Sequence, residues 1–136
     1  MTISPTRAYT LVASLGLFVQ GVATLTALLV PAFDAMLPFI LDQTQMVPIH
    51  SLLHIASGLV GFALLTAGGD RGTRAFAVGF GLFYVALGLS GAFAGQPHFL
   101  VLKPFDHPFH MVVGVTGVIA FAVEIVLKRT ASRERR

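Results

Sequence analysis

The sequence predicts an all-α integral membrane protein, a four-transmembrane-helix bundle made of two helical hairpins with both termini cytoplasmic. Three observations lead there. Charged residues are only 11% of the 136 and apolar residues are 55%, so the polar surface that covers a water-soluble domain is missing. Four long apolar segments, Ala8 to Val30, Val47 to Ala67, Ala75 to Ala94 and Pro108 to Leu127, each have roughly the 20 residues that carry a helix across about 30 Å of hydrocarbon. The basic residues are also unevenly placed. Arg7, Arg71, Arg74, Lys128, Arg129, Arg133, Arg135 and Arg136 fall on one side of these segments and Lys103 alone on the other, which the positive-inside rule reads as a cytoplasmic face. Residues 1–136 then form one domain with a basic cytoplasmic tail at 128–136. The loops Pro31 to Met46 and Gly95 to His107 lie outside.

The first segment is well beyond the roughly 7 to 15 apolar residues of a secretory signal core, so it reads as a retained helix. It ends at Pro31. In the stretch that follows, Phe33, Met36, Leu37, Ile40 and Leu41 keep helical spacing with Asp34 and Asp42 off the stripe, which predicts an amphipathic segment in the outer interface. The second segment starts either at Asp42, with Gln45 three residues on as a capping box, or at Pro48, and stops at Gly68-Gly69. The third carries small residues at Ala77, Gly81, Gly88, Gly91, Ala92 and Gly95, a face for close helix approach within the bundle or in a homo-oligomer or membrane-protein complex. The loop after it, rich in Pro and apolar residues, reads as a second interfacial lid, and Asp106 caps the fourth segment with Pro108 in its first turn.

The chemistry-bearing residues lie at the outer end. His50 and His54 are one helical turn apart at the head of the second segment, and His54 is followed by Gly58 and Gly61. His110 is followed by Gly114 and Gly117, so H-x-x-x-G-x-x-G occurs twice at the same end of two helices. These stripes face the bundle interior, because ionisable groups turned toward lipid are costly. By the same offset Asp106 corresponds to His50, and His107 and His98 lie nearby. Cysteine is absent, which excludes disulfides, thiolate metal sites and thiol nucleophiles.

The pattern I-H-S-L-L-H before one Gly-rich helix, with P-F-D-H-P-F-H before another, resembles a family of small bacterial four-helix membrane proteins, the domain of unknown function 4383. The resemblance covers roughly the last two thirds of the chain. Its pattern matches at His50, His54, Asp106 and His110 and departs at Ser51, where the family carries Asn. It implies a multi-pass fold in the bacterial plasma (inner) membrane and no assigned activity.

Several uses of the histidines follow from their chemistry. They form a hydrogen-bonded structural cluster in which Asp106 accepts from an imidazole, since buried polar groups require partners. Alternatively His50, His54, Asp106, His107 and His110 bind a metal ion, Zn or Cu by ligand type. A third use is haem b held between His54 and His110 in a small membrane redox protein, with Gly58 and Gly114 leaving room for the macrocycle. No glutamate stands between His50 and His54 as in H-E-x-x-H, and the sequence shows no catalytic motif. Proton translocation lacks a continuous ionisable path. The inner half offers only Glu124, which snorkelling and an i, i+4 pair with Lys128 explain. Ser57 and Thr116 are expected to bond their own helix backbones. The partners implied are the lipid bilayer and a larger membrane complex in which the protein is an accessory subunit, with no nucleic acid.

Overall fold

The computed structural model describes residues 3–93, 100, 102, 103 and 106–134, with the side chain of residue 92 excepted. Its helices are α1 (Pro5–Leu29), α2 (Pro31–Met36), α3 (Phe39–Thr44), α4 (Pro48–Thr66), α5 (Gly69–Phe93) and α6 (Asp106–Arg133). No strand occurs among the described residues. The four longer helices are long and apolar enough to cross a membrane.

Each boundary has a local cause. Ser4 accepts a hydrogen bond from the Arg7 amide at 3.4 Å and Pro5 supplies the preset φ of a first turn, so α1 begins there. Pro31 ends the α1 ladder and opens α2. The interfacial stretch is two six-residue helices rather than one, broken at Leu37 and Pro38, and α3 ends on Gln45 in the left-handed region. Of the two starts expected for α4, the structure takes Pro48, preceded by an extended Val47.

Two boundaries correct the sequence reading. The third long helix begins at Gly69, not near Ala75, so Asp70, Arg71 and Arg74 are helical and only Ala67 and Gly68 make the turn. Gly69 takes a φ of 54°, which glycine adopts without the Cβ penalty and which lets the chain reverse so tightly. The last helix continues through Lys128 to Arg133, where long-chain basic residues and Ala131 keep high helix propensity beyond the apolar span.

The buried face of α1 is Thr6, Tyr9, Thr10, Ser14, Leu17, Gly21, Thr24 and Ala27, whereas Leu11, Val12, Leu15, Val19 and Val22 are exposed. The same inversion holds in α4, with His50, Ser51, His54, Gly58 and Gly61 inside and Leu52, Leu53, Leu59 and Val60 outside. An exterior more apolar than the interior suits a lipid solvent, in which helices associate through small-residue packing and polar contacts. The packing confirms how the glycines are used. A Cβ on Gly21 would stand 2.6 Å from the Ser51 carbonyl oxygen, and one on Gly81 2.8 Å from that of Gly114, so α1 meets α4 and α5 meets α6 backbone to backbone. Tyr9, Phe76 and Ala77 form the apolar core between these contacts.

The two ends of the bundle hold different polar groups. Glu124 of α6 meets Thr6 of α1 and Arg74 of α5, so the starts of α1 and α5 and the last turns of α6 share one end. The histidines gather at the other. Glu124 does not snorkel: it is 2% exposed and its carboxylate points inward to Thr6, although the ion pair with Lys128 is present at 2.9 Å.

Candidate metal centre

Pro48 fixes the first turn of α4, which places His50 within that turn and His54 directly below it. His110 sits one turn into α6, after Asp106. The glycines that follow bring these rings to the bundle axis. A Cβ on Gly58 would stand 2.8 Å from the Ser14 carbonyl and from Phe18 Cβ of α1. One on Gly114 would stand 2.6 Å from the Gly81 carbonyl and the Val85 amide of α5. The repeated motif is thus a packing device: a histidine followed one turn later by a glycine that admits a neighbouring helix.

His50, His54 and His110 come together. Each offers one ring nitrogen, and these three nitrogens all lie within 4.8 Å of one another. The residues are 3%, 3% and 0% exposed. The His50 and His54 rings meet edge to face at 4.7 Å between centroids, His50 and His110 are 6.2 Å apart, and Tyr84 of α5 packs its ring edge-on to His110 at 4.9 Å. Around a tetrahedral ion with metal–nitrogen bonds of about 2.0 to 2.1 Å, donor nitrogens sit roughly 3.4 Å apart, so small side-chain rotations close the group onto one ion.

The hydrogen bonding is incomplete. Both ring nitrogens of His54 and both of His110 are buried without a hydrogen-bond partner among the described residues. An imidazole always carries at least one N–H donor, so each ring leaves polar capacity unmet. The expected bond from an imidazole to Asp106 is not made by either ring. Asp106 instead accepts the Lys103 amide at 2.7 Å, a bond to the loop before α6 rather than a cap on the helix's own amides. His107 packs its ring against Gly91 of α5 and is not one of the grouped residues. Two of the five expected ligands, Asp106 and His107, are therefore outside the trio. His98 and most of the loop expected to form the second lid fall outside the described residues; of that loop, Leu100 and Leu102 are buried.

A cavity of about 170 Å³ adjoins the trio, lined by His50, His54 and His110 together with Leu53, Ser57, Phe83, Tyr84, Leu87 and Leu100. Two contributors were not foreseen from sequence. Ser51, the position that departs from the expected Asn, hydrogen-bonds Thr24 Oγ1 across to α1 at 2.8 Å and so fixes the rotation of α4. Tyr84 contributes its ring, packed edge-on to His110. Thr116 does bond its own backbone, at 2.7 Å to Val112.

A family's sequence model matches residues 7–126, a span that takes in nearly all of the four long helices and both histidine motifs. The chain belongs to the family described as Domain of unknown function (DUF4383). Membership in DUF4383 extends over α1 as well, further than the two histidine motifs alone indicate. No curated protein and no solved structure matches the chain. The DUF4383 description assigns no activity, so the chemistry rests on the side chains themselves.

Proposed function

We propose that this is a multi-pass membrane protein whose His50, His54 and His110 bind a single transition-metal ion, Zn or Cu by ligand type, at the outer end of the bundle. The observation that carries the reading is the four unpartnered nitrogens of His54 and His110, buried where an unmet polar group costs about 1 to 3 kcal/mol. A cluster serving architecture alone would pair them; an ion takes the one lone pair of each neutral ring and leaves the other nitrogen's N–H to a further partner. Neutral imidazole is the form in which histidine ligates. The ion is favoured over haem b because Gly58 and Gly114, the positions that were to leave space for a macrocycle, are filled by the backbones of α1 and α5. The adjoining space of about 170 Å³ suits an ion and a few small molecules.

The uneven basic residues support two hairpins inserted with both termini cytoplasmic, which places the trio on the outer side of a bacterial plasma membrane. Asp42 and Ser132, both exposed, lie in segments that this topology puts on opposite faces. Impermeant thiol reagents should label Asp42→Cys and not Ser132→Cys on intact cells, and the reverse pattern would invert the topology.

The test of the site is direct. The full chain, purified in detergent and stripped with a chelator, is titrated with Zn(II) and Cu(II) and assayed by elemental analysis after desalting. One ion per chain, lost in His54→Ala and in His110→Ala and kept in His107→Ala, is the expected result. Retention of the ion in both trio variants, or no stoichiometric ion in the parent, would overturn the reading.

A further inference from the structure

We propose that the ion held by the three histidines keeps one coordination position open to the adjoining cavity, and that this position binds a small monovalent anion. This rests on the metal-site reading above and adds what that ion does with its remaining valence.

Ligand number comes first. The trio supplies three nitrogens, and Zn(II), Co(II) and Cu(II) take at least four donors; sites with three protein ligands and an open fourth place are those at which zinc meets exogenous ligands. The cavity beside the trio has the position and size for the fourth donor. Among the described residues its other walls are the apolar side chains of Leu53, Phe83, Leu87 and Leu100, the ring of Tyr84 and the side chain of Ser57. Asp106 carries a carboxylate, but it is tied to the Lys103 amide and is not within the ligand group.

Charge then selects the ligand. Three neutral imidazoles leave a divalent ion with its full charge inside an apolar wall, where an uncompensated charge is expensive. The Asp106 carboxylate is bound to the Lys103 amide and is not a ligand, so a donor from outside the trio must offset charge at the ion. A small monovalent anion on the metal does so. The cavity of about 170 Å³ has room beside the ion for a small anion such as hydroxide, azide or cyanate.

Cobalt(II) and azide test this on the full chain in detergent. Cobalt bound by three imidazoles and a fourth donor absorbs in the visible, and replacing that donor changes the band. Azide titrated at constant ionic strength should shift the spectrum along one saturable curve. Ser57→Leu and Leu87→Phe, which fill the cavity without removing a ligand, should still bind one cobalt and should weaken azide at least about tenfold. A stoichiometric cobalt whose spectrum ignores azide would overturn the open position while leaving the metal site standing. If no cobalt binds, the metal-site reading fails and the open position with it. If azide binds equally well to both filled variants, the anion does not use this cavity and the proposal is wrong.

Discussion

Both ends of the bundle bury polar side chains, but the two clusters are partnered in opposite ways. At the end shared by the termini, the carboxylate of Glu124 accepts the Thr6 amide at 3.2 Å and the Thr6 hydroxyl, and pairs with Arg74 at 3.2 Å and Lys128 at 2.9 Å. Asp70 pairs with the same Lys128 at 3.1 Å, and Thr73 and Thr10 extend the network. At the other end His54 and His110 have no such bonds among the described residues. A closed network of short contacts between α1, α5 and α6 is architecture. An equally buried cluster with unmet donors and acceptors supports the proposed metal site.

The largest expected effect breaks the closed end. Glu124→Ala removes hydrogen bonds and ion pairs to a charged group and should cost about 2 to 4 kcal/mol, read as a lower midpoint of thermal unfolding in detergent. The loss should be the same with a chelator or with zinc, since among the described residues no metal-ligating group of side chains lies at that end. Metal removal is next. Zinc at roughly a hundred times its dissociation constant should stabilise the parent by about 2.7 kcal/mol relative to chelator, and His110→Ala should abolish that difference. Gly114→Val drives a side chain into the Gly81 carbonyl and Val85 amide and should cost about 1 to 3 kcal/mol, with reduced zinc affinity because α6 shifts His110. The smallest effect belongs to Ser51→Ala, which loses the bond to Thr24; interhelical bonds of this kind average about 0.6 kcal/mol in membrane proteins.

The contrast between the ends also explains what the sequence made legible. Span length and composition are local properties, and they located the four long helices. The errors fell at their interfacial ends, where Arg71 and Arg74 looked like loop residues and Lys128 to Arg133 like a tail. Helices that emerge from the bilayer continue in charged residues, so polarity marks the edge of the hydrocarbon and not the end of the helix. The paired H-x-x-x-G-x-x-G motif was readable because both halves lie within single helices. Which of His50, His54, Asp106, His107 and His110 converge depends on helix rotation, which contacts such as Ser51 to Thr24 and Gly114 to Gly81 set across long sequence separations. The same is true of Glu124: Lys128 was visible four residues away, whereas Thr6 and Arg74 were not.

The most direct test compares the thermal stability of the parent and His54→Leu in detergent, in chelator and in excess zinc. If the His54 nitrogens await an ion, Leu relieves unmet polar groups, so the variant should be more stable than the parent in chelator by about 1 to 3 kcal/mol and indifferent to zinc, while the parent gains stability from zinc. A variant less stable than the parent in chelator, with zinc changing neither, would mean that His54 is partnered within the fold and would contradict a metal-binding role for the trio.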